Sequence, residues 1–250
     1  MSTEEQPQVM KRLTRILIAT PMYGGQLSMG YFLSFLRSLG NAAQLGYQLG
    51  VYTLANESLI PRARNRCAAH FLTQTPFDKL MFIDADIEWR WEDMLTLLES
   101  GEPLIAGVYP AKTLPLTLNF NPEIEHAEKY FPNGRRDLAS FKKFARECAD
   151  PFGEVAVRQL TTGFMLIDRS VLEKLKDTVP QYSFRDLTSD QEETHWDFFP
   201  TGPQEGTYAS EDYGFCELAK KAGFTPTLHT RALVSHYGTH LFKPNEETSK

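Results

Sequence analysis

The sequence is short of cysteine and has no paired cysteine motif. Cys67, Cys148 and Cys216 are far apart and odd in number, which excludes a disulfide framework and suits a reducing compartment. Cys67 and Cys216 lie in helix-like stretches and are expected as small core residues, not nucleophiles. No apolar run approaches the length needed to cross a bilayer. The polar start, Met1 to Arg12, lacks the apolar stretch of a signal peptide, so a cytoplasmic protein is expected. Positive charge is not in excess either. The formal net charge of −6 gives no overall attraction to nucleic acid or an anionic membrane, so a phosphate-bearing ligand would need local arginines or a metal ion. No internal repeat or low-complexity segment is visible. What is present is apolar content: 42% of the 250 residues are hydrophobic and 23% charged. That is enough to fill a sizeable core, which excludes disorder over most of the chain.

Short apolar runs bounded by turn residues read as buried strands at 15–20, 51–54, 80–83 and 104–109. Helical spacing of Tyr31, Phe32, Phe35, Leu36 and Leu39 predicts a helix over 28–46. Pro61 opens a second helix, at a position where its missing N–H does no harm, and 91–98 forms a third. Alternation of strand and helix implies an α/β fold: a Rossmann-like, mostly parallel central sheet with helices on both faces. Beyond Tyr109 the pattern loosens. Residues 112–152 resist assignment. Strands are expected at 155–160, 164–167 and 225–235, a short helix at 169–175, and a helix over 211–222 closed by Gly223. Residues 180–209 read as a long aromatic-bearing loop, a length that suits a lid or binding loop. Residues 1–14 are expected as a flexible leader and 243–250 as a tail.

The sharpest local signal is Phe82-Ile83-Asp84-Ala85-Asp86. Two carboxylates directly follow a buried strand, where ligands of open α/β sheets bind. Like charges this close repel unless something positive neutralises them; a divalent cation does so most simply, and carboxylates suit Mg²⁺ or Mn²⁺. The bland alternative is an Asx-turn leading into the next helix. Upstream, Arg64 sits in the first turn of a helix, where guanidinium and helix terminus both favour a diphosphate; Arg62 and Arg66, on one face, read as a solvated basic surface. Downstream, Ser210 is a candidate N-cap, and Glu211 and Asp212 open the last helix, where a carboxylate can accept the proton of an attacking hydroxyl or merely favour the helix terminus. His236 follows the last strand. As neutral imidazole it suits Mn²⁺ better than Mg²⁺, although a lone His is commonly structural.

These pieces, in this order from about Ile16 to His240, resemble the GT-A type of glycosyltransferase, and are similar in particular to small inverting enzymes of family 2. The matching segments are Ala19 to Tyr23, Ala63 to Asn65, Phe82 to Asp86, Thr162 to Leu166, Ser210 to Asp212, and Ser235-His236. The resemblance implies a GT-A fold as one catalytic domain over 15–242, with a nucleotide-sugar-binding half at 15–110 and an acceptor-binding half at 111–242. It implies transfer of a hexosyl or pentosyl unit from a UDP- or GDP-sugar to an acceptor hydroxyl. That acceptor would be a glycan, a lipid-linked sugar, a protein or modified DNA. Thr20, Pro21, Tyr23, Arg64, Asn65, Asp84 and Ala85 would contact the donor. Asp84, Asp86 and His236 would hold Mn²⁺ or Mg²⁺, and Gly163, Phe164 and Trp196 would border the acceptor. Asp212 would be the base, with Glu211 orienting the acceptor, or the reverse. Two other functions compete: a haloacid dehalogenase-like phosphotransferase with Asp84 as nucleophile, although its motif usually follows the first strand, and a non-catalytic nucleotide-binding module.

Overall fold

The computed structural model describes residues 13–185, 192–204, 206–238 and 240–244. The first half runs β1 (Thr14–Met22), α1 (Met29–Gln44), β2 (Tyr47–Ala55), α2 (Ile60–Gln74), β3 (Lys79–Ile83), β4 (Ile87–Glu88), α3 (Trp91–Glu99) and β5 (Leu104–Val108). The second runs α4 (Ile124–Tyr130), α5 (Leu138–Cys148), β6 (Glu154–Ala156), β7 (Phe164–Asp168), α6 (Arg169–Leu175), β8 (Gln181–Arg185), β9 (Glu192–Trp196), β10 (Gly202–Gln204), β11 (Thr207–Ala209), α7 (Glu211–Lys221), β12 (Thr227–Leu233), β13 (Ser235–Tyr237) and β14 (Leu241–Phe242). The central sheet has seven strands in the order β2-β1-β3-β7-β5-β12-β6. Five of them point the same way; β7 and β6 run against the rest.

The antiparallel β7 departs from the expected run of parallel strands, because it lies between β3 and β5. Its residues 164–167 are apolar and buried on both sides, like β3 and β5. Hydropathy marks such a strand as central but carries no direction. Beginning at the edge of the sheet where β3 and β5 end, β7 places Gly163 beside Asp84: the Asp84 N–H donates to the Gly163 carbonyl at 3.0 Å.

Alternation along the strands splits the interior in two. Leu17, Ala19, Leu80, Phe82, Met165 and Ile167 face one core with α2, α6 and α7. Ile16, Ile18, Met81, Ile83, Phe164 and Leu166 face the other with α1 and α3. Helices therefore cover both faces, as expected. Cys67 and Cys216 are wholly buried, and burial pushes each thiol up to about 12, so both are core residues.

Helix α1 turns only part of its expected apolar side inward. Gly30, Tyr31, Ser34, Ser38 and Ala42 are buried and Phe35 packs against the core, whereas Phe32, Leu36 and Leu39 are exposed. Trp89 decides this. Its main-chain N–H donates to Ser34 Oγ at 3.0 Å and its indole N–H to Ser38 Oγ at 2.9 Å, both buried. Leaving those donors unpaired would cost about 1–3 kcal/mol each, and a row of small residues lets the helix approach closely. Strand β1 also runs on through Pro21, where a turn was expected. Proline is tolerated there because β3 pairs with β1 only as far as Ala19, so the missing N–H leaves no ladder bond unmade.

The second half holds the larger corrections. Residues 180–209 are not one loop: β8 pairs with β9 and β10 with β11, both antiparallel. Residues 186–191 lie outside the described residues. The unassigned 112–152 contains α4 and α5, joined around Phe120, whose ring meets Phe131, Phe141 and Phe144 at 5.6–5.8 Å. The strand expected over 155–160 stops at Ala156, and that over 225–235 breaks at Val234, after which β13 joins β4 and β14 in a separate small sheet. Gly223 closes α7 as expected, with φ +88° and its N–H on the Lys220 carbonyl.

Candidate active site

The parallel strands β1, β3, β5 and β12 all end at one edge, and the candidate residues gather there. Asp84 and Asp86 follow β3. Pro21 to Tyr23 leave β1, Tyr109 and Pro110 follow β5, and His236 lies just past β12. Helix α7 points its first turn at the same place. A cleft of about 640 Å³ opens between them, lined among others by Pro21, Tyr23, Arg64, Asp84, Asp86 and Glu211. That volume lies within the range of ligand pockets, about 300–1,000 Å³.

Arg64 is the buried centre of this arrangement. Its Nη2 donates to both oxygens of Asp84, at 3.0 and 3.3 Å, and its Nε to Glu211 at 3.3 Å. Burial alone would lower its pKa, but the charges of Asp84 and then Glu211 outweigh that and hold it well above the usual value. One guanidinium thus ties the strand-end acid to the last helix. Its Nη1 is buried without a protein partner.

Asp86 has different partners. Lys112 donates to its Oδ2, and His236 Nε2 lies 3.3 Å from its Oδ1. Burial would raise the Asp86 pKa, but hydrogen bonds from His236 and then Lys112 outweigh it and hold the carboxyl below its usual range. The small sheet brings His236 here: His236 pairs with Ile87, and the Tyr237 N–H donates to the Asp86 carbonyl at 2.7 Å. His236 Nδ1 is 2.9 Å from the Pro110 carbonyl, which can only accept, so Nδ1 carries a proton and Nε2 is the atom presented to Asp86.

That geometry bears on a cation. Among the described residues no three His, Cys, Asp or Glu side chains gather round one point, and Asp84 faces Arg64. Asp86 and His236 do present an oxygen and a nitrogen side by side. Mg²⁺ commonly takes only one or two protein carboxylates, the rest of its shell coming from water and substrate phosphates. Asp86 and His236 would supply at most two ligands, and the imidazole suits Mn²⁺ better than Mg²⁺.

Asp212 lies in the first turn of α7. Ser210 is at the N-cap position, yet its hydroxyl bonds Asp212 Oδ1 and does not cap the helix; the Tyr213 N–H adds a second bond to Oδ1 at 2.9 Å. Burial pushes the Asp212 carboxyl up to about 6; the Ser210 hydroxyl opposes that shift and the Glu211 charge adds to it.

Several expected site residues lie elsewhere. Thr20 is fully buried, with its hydroxyl bonded to Tyr31 Oη at 2.6 Å. The Asn65 amide is occupied by Asp197 and the Phe199 N–H, both at 3.0 Å, so Asn65 clamps the segment after β9 to α2. Phe164 is wholly buried in the core. Trp196 stacks on Phe198, with its indole N–H buried. Gly163 packs beneath the site against Tyr109. Arg62, expected on a solvated basic surface and not in the site, is tied to Glu57 at 2.6 and 2.7 Å. Ala85 does line the cleft, and its carbonyl accepts from the Ser28 N–H at 2.8 Å. Sequence reasoning missed Tyr109 and Lys112. Both follow β5 at the same sheet edge as the aspartates, a position that could have marked them. The Tyr109 hydroxyl accepts from the Gly163 N–H at 3.1 Å; burial, then the charge of Asp84, raises its pKa far above the usual value.

Fold and site together define an α/β protein with a charged cleft at the carboxyl ends of its parallel strands. No described protein family and no curated protein matches the sequence. Among solved structures, the crystal structure of A197 from STIV is similar over 95% of this chain and 97% of that one, with a TM-score of 0.52 and 14% identity. At that identity the likeness is one of fold. A glucose-1-phosphate thymidylyltransferase structure from Bacillus anthracis, in complex with sucrose, covers 67% of this chain and 76% of its own at a TM-score of 0.31 and 10% identity, too distant to carry an argument.

Proposed function

We propose that the chain is a GT-A type glycosyltransferase that moves a sugar from a nucleotide-sugar donor to an acceptor hydroxyl with inversion. The observation that carries this reading is the pairing of two unlike carboxylates at one sheet edge. Asp86 is held below the usual carboxylate range, which suits a cation ligand, and Asp212 is pushed up to about 6, which suits a general base at neutral pH.

In this reading the donor lies in the cleft between Pro21, Tyr23 and Ala85, with its diphosphate toward Asp86. Asp86 and His236 would hold Mn²⁺ or Mg²⁺, which when bound supplies Lewis-acid stabilisation of the leaving diphosphate. Arg64, shared between Asp84 and Glu211, offsets part of their charge and so weakens the repulsion of an incoming anion. Asp212 takes the proton of the acceptor hydroxyl as its oxygen attacks the anomeric carbon. The bond from that carbon to the phosphate oxygen breaks, and the nucleoside diphosphate leaves with the electron pair. A carboxylate with a pKa near 6 is ionised at pH 7 yet basic enough to assist. The dehalogenase-like alternative fares worse, because both oxygens of Asp84 are engaged by Arg64.

A thermal-shift screen of UDP- and GDP-sugars with and without Mn²⁺ tests the reading, since a tight ligand raises the unfolding temperature with concentration. One donor should stand out with Mn²⁺, and Asp212→Asn should keep that shift while losing sugar release. No shift with any donor would overturn the proposal.

A further inference from the structure

Lys112 has no part in the reading above, yet its ammonium is bonded to Asp86, the carboxylate assigned to the cation. Its placement is built in. The Ala111 N–H donates to the Thr117 carbonyl at 2.7 Å and Pro110 pairs with Leu118, which fixes the main chain at the root of the side chain. The same Pro110 carbonyl takes the proton of His236 Nδ1, so Lys112 and His236 are held from one short segment. The lysine stem passes over Gly238, where a Cβ would stand 3.2 Å from Lys112 Cδ and 3.5 Å from Cγ. Its side chain is 39% exposed, so the ammonium can leave Asp86 without crossing packed core.

Charge in the cleft gives this contact a purpose. Asp84, Asp86 and Glu211 line it; Arg64 answers Asp84 and Glu211, while Lys112 and His236 answer Asp86. A divalent ion held between Asp86 Oδ1 and His236 Nε2 would be repelled by the ammonium on Oδ2 and would favour its departure. A diphosphate arriving with that ion then meets a displaced, flexible cation within reach.

We propose that Lys112 is an internal counter-ion that competes with a divalent cation for Asp86 and transfers to the diphosphate when that cation takes its place, so that metal and donor bind cooperatively. This rests on the reading of the cleft as a diphosphate site. Displacement penalises the metal alone, and the new contact to phosphate recovers that loss when both are bound; such couplings typically amount to about 5- to 150-fold.

The test uses the full chain and its Lys112→Met and Lys112→Arg variants, each checked for an unchanged unfolding temperature. Mn²⁺ binding is followed by electron paramagnetic resonance, alone and with saturating inorganic pyrophosphate. Lys112→Met keeps the stem without the charge. It should bind Mn²⁺ alone about tenfold tighter than the unaltered chain and gain less from pyrophosphate, whereas Lys112→Arg should resemble the unaltered chain. Equal Mn²⁺ affinity in the Met variant and the unaltered chain, with pyrophosphate coupling intact, would overturn the inference and leave the site reading standing. Absence of Mn²⁺ and pyrophosphate binding from all three proteins would overturn both.

Discussion

Asp86 lines the cleft and Asp212 follows the lining residue Glu211 in the first turn of α7, and the two acids have opposite surroundings. Asp86, within residues 15–110, is met by Lys112 and His236 and held below the usual carboxylate range. Asp212, within 111–242, has a hydroxyl and a main-chain N–H for partners, and burial pushes it up to about 6. The difference teaches that surroundings, not residue type, set how tightly each acid holds its proton, while Arg64 joins Asp84 of the first half to Glu211 of the second.

The largest expected effect comes from removing that bridge. Arg64→Met leaves Asp84 and Glu211 without their shared counter-charge, and breaking a buried pair in this way costs about 3–5 kcal/mol. Urea unfolding should show it; a loss under about 1 kcal/mol would mean the halves are not coupled through this residue.

Next is Asp212 itself. Its carboxyl binds a proton more tightly folded, at about 6, than at its unperturbed 3.8. Ionising it therefore opposes folding: its contribution is fully favourable below the unfolded value and is lost as pH rises through about 6. Asp212→Asn should accordingly stabilise the protein at pH 8, by at most about 3 kcal/mol, and by almost nothing at pH 4. An equal effect at both pH values would show that the two acids are not differently tuned.

A smaller effect is expected where the halves touch. A Cβ on Gly163 would stand 2.6 Å from Tyr109 Oη, so Gly163→Ala should cost about 1–3 kcal/mol, with partial recovery when Tyr109→Phe removes the hydroxyl. The smallest concerns α1: Phe32→Lys on its exposed face should change stability by no more than about 0.5 kcal/mol. A loss of several kcal/mol would restore the inward apolar face that the sequence suggested.

What the sequence revealed follows the same division. In the first half, strands that end in polar residues and alternate with helices announce both sheet and site, so the placement of Asp84, Asp86 and Arg64 at a strand-end cleft was legible. Direction was not, since β7 has the same buried apolar pattern as its parallel neighbours. Nor was the inward side of α1, which rests on two serines meeting Trp89, a partner 51 and 55 residues away. In the second half the missed elements carried local signals: alternation over 181–185, and Phe141 and Phe144 at helical spacing behind Asp137, which caps α5 through the Ser140 N–H at 2.9 Å. Thr20, Asn65, Phe164 and Trp196 were assigned to the ligand because motif order cannot tell a residue lining a cleft from one supporting it. Lys112 was missed although it follows β5 at the edge where Asp86 lies, because its side chain is exposed and its contact is 26 residues away in sequence.

The most direct measurement is calorimetric titration of UDP and GDP, with Mn²⁺ and after chelation, into the unaltered chain and Asp86→Ala. The expected result is binding of one nucleotide that strengthens with Mn²⁺ in the unaltered chain and loses that metal dependence in the variant. Equal, metal-responsive binding by both proteins would show that Asp86 is not where the cation and diphosphate meet.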